Sequence, residues 1–155
     1  MGLDMYFTGK YYISRYGNRA EKDLGVSEKI IKAFPEMAGY SPQTIEFNIK
    51  YWRKANAIHK WFVENLQDGI DQCQETWVDP QRLFELRDLC ERVLENPQRA
   101  NELLPASDGF FFGSADYDTY YLSTITDTRD WLRGFLTRYS LNSYSGYDFY
   151  YRASW

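Results

Sequence analysis

The sequence predicts an α+β fold in which a small, largely antiparallel sheet packs on about three helices. Apolar residues alternate with a period of two near both ends and in the middle of the chain, which is typical of strands with one buried face. Between these stretches they recur with a helical period. The length of 155 residues suits one core. We therefore expect a single domain over residues 1–155.

Three segments have the composition of strands. Residues 5–13 are rich in aromatic and β-branched side chains, and residues 44–50 alternate strictly between apolar and polar ones. Residues 147–155 combine alternation with the same residue types. These three segments are expected to pair as the N-terminal, central and C-terminal strands of one sheet.

Helices are predicted from apolar stripes and from their end signals. The predicted helical segments are Ser27–Phe34, Tyr51–Gln67, the segment that follows Asp79-Pro80 up to Asn96, and Asp127–Tyr139. Asp79 followed by proline is a typical helix start, which makes the third of these helices the clearest. Residues 105–113 are expected to form a loop. Residues 116–126 are compatible with helix or strand, and helix is favoured, with Ser114 or Asp116 as its cap.

The net charge of -4 is unevenly distributed along the chain. Residues 1–60 carry +4 and residues 61–155 carry -8, and the stretch from Glu64 to Asp127 has 14 acidic residues against four arginines. Such an acidic block repels phosphates, so direct DNA binding is not expected. Two interpretations remain open for the block: solvated helix faces, or a surface that attracts a basic partner.

Several function classes have no support in the sequence. The two cysteines, Cys73 and Cys90, occur without a signal-peptide pattern and are expected to be reduced, with Cys90 buried in an apolar helix stripe. No apolar run is long enough to span a membrane, and the chain has no zinc, P-loop or dinucleotide motif. We expect a cytoplasmic protein with no metal site and no cofactor.

His59, the only histidine, lies within the apolar arc of the predicted helix 51–67. A buried imidazole needs a hydrogen-bond partner, and Asp4 or Asp116 could supply it. A satisfied core histidine is the favoured interpretation. The alternative is a small enzyme that uses His59 together with one of these aspartates.

Aromatic residues make up 19% of the chain, and tyrosines concentrate in its last third. Tyrosine covers apolar area while keeping a polar tip, which suits binding surfaces. Trp61 is expected either to be exposed beside lysines or to face a second packing element. The candidate binding residues are Trp61, Glu85, Asp88, Asp116, Tyr117, Asp118, Tyr120, Tyr121, Tyr150 and Arg152. An alternative ligand pocket would combine Asp4, Trp52, Arg53, Asn56 and His59.

Four blocks of the sequence carry a family resemblance. They are Met1–Tyr6 (MGLDMY), Tyr51–Phe62 (YWRKANAIHKWF), Gly109–Asp118 (GFFFGSADYD) and Phe149–Trp155 (FYYRASW). Together they resemble a family of small uncharacterised proteins from bacteriophages and prophages. The resemblance implies a phage setting, a location in the host bacterial cytoplasm and a host protein as partner. It implies no catalytic residue.

Three functions follow as expectations. The leading one is a non-enzymatic interaction protein that inhibits or redirects a host protein through an acidic, tyrosine-rich surface, with a defence or nucleic-acid-processing factor as the possible target. The second is a sponge for a nucleotide or other small molecule, held by aromatic residues and arginines. The third is the small enzyme based on His59.

Overall fold

The computed structural model describes residues 2–155 and has a four-stranded antiparallel sheet at its centre. The strands are β1 (Asp4–Tyr12), β2 (Thr44–Arg53), β3 (Thr76–Val78) and β4 (Tyr147–Ser154). Their order in the sheet is β2-β1-β4-β3. The predicted α+β class and the three predicted strands are confirmed, while the short strand β3 was not predicted.

Helices cover one face of this sheet. They are α1 (Ala20–Ala33), α2 (Asn56–Leu66), α3 (Leu83–Glu95), α4 (Ala100–Leu103) and α5 (Thr119–Ser140). Single 3-10 turns at Pro35–Met37, Pro80–Arg82 and Pro97–Arg99 join them to the rest of the chain. Asp79 accepts a hydrogen bond from the backbone N–H of Gln81 and so begins the α3 segment as predicted.

The core lies between the sheet and the helices. Along β1, buried residues alternate with half-buried ones, so that only one face of the sheet packs on the helical layer. Phe7 at the middle of β1 is fully buried. Its ring centroid lies 5.2 Å from that of Trp131 and 5.4 Å from that of Phe135 on α5, and 5.7 Å from that of Phe149 on β4. This aromatic cluster joins the two central strands to the longest helix.

The first helix begins earlier than predicted. Helix α1 starts at Ala20, seven residues before Ser27, and Ser27 lies inside it. The apolar pattern missed this first half because Leu24 is largely exposed. What attaches this half to the sheet is the buried carboxylate of Asp23, which accepts hydrogen bonds from the Tyr11 hydroxyl and the Ser14 N–H.

The predicted helix over residues 51–67 is wrong at its start. Residues 51–53 continue β2, and α2 begins only at Asn56. Lys54 separates the two elements with a φ of 53°, a left-handed conformation that interrupts both strand and helix. The apolar pattern could not show this break because Trp52 is buried whether it belongs to the strand or to the helix.

The last helix is longer than predicted. Helix α5 runs unbroken from Thr119 to Ser140, so Asp127 is not a helix cap. The cap is Asp118, whose carboxylate accepts a hydrogen bond from the Tyr121 N–H, and neither Ser114 nor Asp116 has this role. The expectation of helix for residues 116–126 is confirmed from Thr119 onward.

Two further expectations concern the burial of Cys90 and the presence of membrane-spanning helices. Cys90 is fully buried, as predicted, and burial raises the pKa of its thiol to about 12. None of the helices within residues 2–155 has the length and apolar character needed to cross a bilayer.

Because the Asp23 carboxylate attaches α1 to the sheet, we expect this attachment to depend on pH. The hydrogen bond from the Tyr11 hydroxyl holds the pKa of Asp23 below its ordinary value of 3.8. A lowered folded-state pKa stabilises the fold above the ordinary pKa, and this stabilisation is lost as the pH falls through the lowered value. In urea unfolding between neutral pH and pH of about 2.5, we expect Asp23→Asn to be less stable at neutral pH and the difference to shrink below about pH 4. A difference independent of pH would contradict this role of the carboxylate.

Candidate binding surface

The segment of residues 105–118, here called the aromatic loop, is fixed to one end of the sheet. The backbone N–H of Leu3 donates to the carbonyl of Phe111 over 2.9 Å, and the N–H of Lys54 donates to the carbonyl of Leu3 over 2.7 Å. The start of β1, the end of β2 and the aromatic loop are therefore joined by backbone hydrogen bonds.

Asn56, at the start of α2, holds the aromatic loop through hydrogen bonds of its side chain. Its side-chain amide donates to the carbonyls of Phe112 and Ser114 over 3.2 and 2.8 Å. Its carbonyl oxygen accepts from the N–H of Ser107 over 3.4 Å. Because Asn56 is buried, these bonds form away from competing water and fix the loop backbone.

Glycines allow the loop to turn this closely. Gly113 has a φ of 86°, and a Cβ at this position would lie 3.3 Å from the Lys54 Cβ. Gly109 faces the Phe112 ring, which a Cβ would approach to 2.8 Å. Both positions therefore require glycine, the first for its conformation and the second for space.

Contacts between aromatic rings also attach the aromatic loop to the residue that follows β4. The Trp155 ring is stacked on Phe111 at 6.3 Å between centroids and meets the edge of Phe112 at 6.0 Å. Phe110, between the two glycines, is different: its side chain is 95% exposed at the tip of the loop. The result is one fully exposed aromatic ring on a loop whose neighbouring residues are held in place.

A buried network lies beneath this loop. With the proton on Nε2, His59 donates to the Asp71 carboxylate over 2.9 Å, and its Nδ1 accepts the Tyr151 hydroxyl over 2.8 Å. The indole N–H of Trp155 donates to the second oxygen of Asp71 over 3.2 Å. The His59 ring also meets Phe112 edge-on at 5.3 Å. One imidazole thus connects α2, β4, the segment before β3 and the aromatic loop.

The predicted burial of His59 is confirmed, but both proposed partners are wrong. His59 is 2% exposed, and its carboxylate partner is Asp71, not Asp4 or Asp116. Asp4 lies on the opposite face of the sheet, where it accepts the Tyr51 hydroxyl. Asp116 is in the aromatic loop and accepts the Ser114 hydroxyl. Both His59 nitrogens are occupied, and these bonds hold α2 to β4 and to the segment before β3.

Two predicted binding residues are core residues. Trp61 is 4% exposed, so the second-packing-face alternative is the correct one for it. Its ring packs edge-on against Phe62 at 5.2 Å. Tyr121 is also buried, and its hydroxyl donates to the Leu104 carbonyl over 2.8 Å. Neither side chain is available to a partner without unfolding.

The acidic candidates on α3 are paired locally. Asp88 forms a 2.6 Å ion pair with Arg87, and Glu85 lies 3.8 Å from Arg82. Other acids of the same block are also paired, namely Glu64, Glu75, Glu91, Glu102 and Asp127. Much of the acidic block is therefore a set of solvated ion pairs rather than an unpaired negative surface.

The remaining candidates of the 116–120 segment lie beside the aromatic loop. Tyr117 is 40% exposed, and its hydroxyl accepts the Ala106 N–H. Tyr120 is 55% exposed and donates its hydroxyl to the Arg53 carbonyl over 2.6 Å. With Asp118 at the helix cap, these residues support the loop and extend its exposed aromatic area.

The sheet face that no helix covers, here called the outer face, carries the other candidates. Its residues are Asp4, Tyr6, Thr8, Lys10 and Tyr12 from β1, Glu46, Asn48, Tyr51 and Arg53 from β2, Trp77 from β3, and Asp148, Tyr150 and Arg152 from β4. The guanidinium of Arg152 lies 5.6 Å from the centroid of the Tyr6 ring, and Tyr6 lies 5.4 Å from Tyr51. The face is an aromatic and charged surface.

The alternative ligand pocket is not assembled. Its five residues are divided by the sheet: Asp4 and Arg53 lie on the outer face, whereas Trp52, Asn56 and His59 are buried. The indole N–H of Trp52 donates to Thr128 over 2.9 Å, which fixes it in the core. A cavity of about 590 Å³ lies elsewhere, between α1, the residues after β1 and those before β2.

Sequence reasoning missed three residues of this region: Phe110, Asp71 and Trp155. The three consecutive phenylalanines between glycines were a signal for Phe110, since such a loop cannot bury all three rings. For Asp71 no local signal exists, because only the fold brings it to His59.

Within residues 2–155, no group of three or more metal-binding side chains is found close together. Comparison with protein-family models, curated proteins and solved structures gave no match.

Proposed function

We propose that this protein is a non-enzymatic binding protein that docks another protein through the aromatic loop. The observation that carries the proposal is Phe110, whose ring is 95% exposed although the loop around it is fixed. An exposed phenylalanine gains free energy when a partner pocket removes it from water. A loop already held in one conformation loses little entropy on binding, which favours affinity.

The surroundings of Phe110 fit a protein partner. Tyr117, Tyr120 and Trp155 are each 40–55% exposed and lie near the same end of the molecule. Tyrosine and tryptophan are enriched where protein interfaces concentrate their binding energy. The partner is therefore expected to present an apolar pocket for Phe110, surrounded by groups that hydrogen-bond to phenols and an indole.

The phage setting implied by the resemblance would make this partner a host protein. That part of the proposal rests on the resemblance alone. The acidic residues of α3 are expected to contribute less to the binding free energy than the aromatic ones. Their carboxylates are already engaged in exposed ion pairs, which are weak interactions.

The test is affinity capture from bacterial lysate with the wild type, Phe110→Ala and Phe34→Ala. Phe34 is 55% exposed at the end of α1 and so provides a matched control far from the loop. We expect one protein to be captured by the wild type and by Phe34→Ala. With that protein purified, Phe110→Ala should weaken the affinity by at least about tenfold, mainly through faster dissociation.

The melting temperature of Phe110→Ala should equal that of the wild type, because the ring has no contacts to lose in the core. Equal affinity of Phe110→Ala and the wild type for the captured protein would rule out the loop as the docking site.

A further inference from the structure

The outer face of the sheet has a charge pattern that is complementary to itself. On β4, Arg152 and Asp148 lie two residues to either side of Tyr150 on the same face. On β2, Arg53 and Glu46 lie at corresponding ends of the face. Within residues 2–155 none of these four side chains forms an ion pair. One end of the face therefore carries unpaired arginines and the other carries unpaired carboxylates.

The other charged side chains discussed for the outer face, Lys10 and Asp4, already have partners within the chain. Lys10 is paired with Glu75, and its ammonium group lies 4.4 Å from the centroid of the Tyr150 ring. Asp4, at the arginine end, accepts the Tyr51 hydroxyl. These contacts do not remove the difference in charge between the arginine end and the carboxylate end.

Aromatic side chains are distributed along the face and are ordered by contacts with one another. The Tyr150 hydroxyl lies 3.1 Å from the Tyr12 hydroxyl, and Trp77 is the cross-strand neighbour of Tyr150 on β3. Tyr12, Tyr51 and Trp77 are exposed by 40%, 44% and 55%. Aromatic rings fixed by cross-strand contacts lose little side-chain entropy when a second surface covers them.

We propose that two copies of the chain associate through their outer faces about a two-fold axis. The axis lies between the two faces, parallel to the sheets and perpendicular to the strands, and passes over Tyr150. Such an axis reverses the strand direction, so that Arg152 of each copy faces Asp148 of the other, and each contact occurs twice. The same operation brings Arg53 of one copy opposite Thr44 of the other, two residues from Glu46 on the same face. The aromatic side chains of each face pack on those of its counterpart, as in two sheets stacked face to face.

The size of the face sets the strength of this association. Strands about 4.8 Å apart that rise about 3.3 Å per residue give a footprint of roughly 500 Å² per copy. The total of roughly 1,000 Å² is near the lower limit for a specific interface. We therefore expect a reversible dimer with a dissociation constant in the micromolar range. The aromatic loop takes no part, so this inference stands independently of the proposed function.

Sedimentation velocity of the full chain, from roughly 1 to 500 µM, tests the proposal over the range of weak interfaces. The wild type should shift from monomer to dimer with concentration. Arg152→Glu should weaken the dimer by at least about tenfold, since it places a carboxylate against Asp148 of the second copy. The matched control is Lys29→Glu on α1, which makes the same change in net charge and should leave the dimer unchanged.

The double variant Arg152→Glu/Asp148→Arg exchanges the two charges and should restore the dimer. If Arg152→Glu proves unstable in thermal melts, Arg53→Glu reverses the other unpaired arginine at this end of the face, which approaches Glu46 of the second copy. A wild type that stays monomeric throughout, or a dimer that both reversals leave intact, would overturn the proposal. Failure of the exchanged pair to restore a weakened dimer would overturn the Arg152–Asp148 contact.

Discussion

His59→Ala is expected to lower the free energy of unfolding by about 3 kcal/mol, because it leaves the buried Tyr151 hydroxyl without a partner and opens a cavity beside it. The loss also releases Asp71, which holds the Trp155 indole. Urea unfolding at neutral pH measures this change, and the melting temperature should fall by roughly 10 °C.

A double-mutant cycle identifies the cause. Tyr151→Phe removes the hydroxyl that His59 accepts but keeps the ring stacked on Phe62 at 3.9 Å. Because both variants remove the same hydrogen bond, the double variant should be more stable than the sum of the single effects predicts, by about 1 kcal/mol or more. Unchanged stability of His59→Ala together with a lost biological activity would instead identify His59 as part of a functional site.

Phe7→Ala is expected to lower the free energy of unfolding by about 4 kcal/mol, more than His59→Ala. Phe7 is fully buried, and its ring touches three other aromatic rings from α5 and β4. A loss of this size is a large part of the total stability of an ordinary domain, so we expect the variant to fold only at low temperature. The milder Phe7→Leu should cost about 1 to 2 kcal/mol and keeps the measurement possible.

Phe110→Ala is the matched control, since it makes the same substitution at a fully exposed ring. It should change the free energy of unfolding by less than about 0.5 kcal/mol. Similar costs for Phe7→Ala and Phe110→Ala in urea unfolding would contradict the position of β1 at the centre of the core.

The sheet could be predicted from the sequence to the extent that burial imposed a pattern. β1 and β4 alternate because one face packs on helices, and both were identified within one or two residues. β3 has only three residues, too few for a period to be visible. The boundary between β2 and α2 was misplaced because Lys54 ends the strand through its backbone conformation, which an apolar pattern does not record.

The candidate site was predictable in part for a similar reason. Residue types suggested that Tyr117, Tyr120, Tyr150 and Arg152 are accessible, and all four are at least partly exposed. Trp61 and Tyr121 have the same chemistry and are buried. Exposure depends on which helix faces meet, and that is decided by contacts between residues far apart in the chain, as the His59–Asp71 bond also illustrates.

The strand order has a consequence for how the chain reaches this structure. β1 lies between β2 and β4, and its register pairs Asp4 with Ser154. During synthesis β1 can pair with β2 early, but its other edge has no strand to pair with until residues 147–154 have left the ribosome. Folding that depends on such distant pairing is slower than folding through local contacts. The nascent chain thus exposes an unpaired strand edge beside Met5 and Phe7 while all the residues between β2 and β4 are synthesised, a period in which it is prone to aggregate.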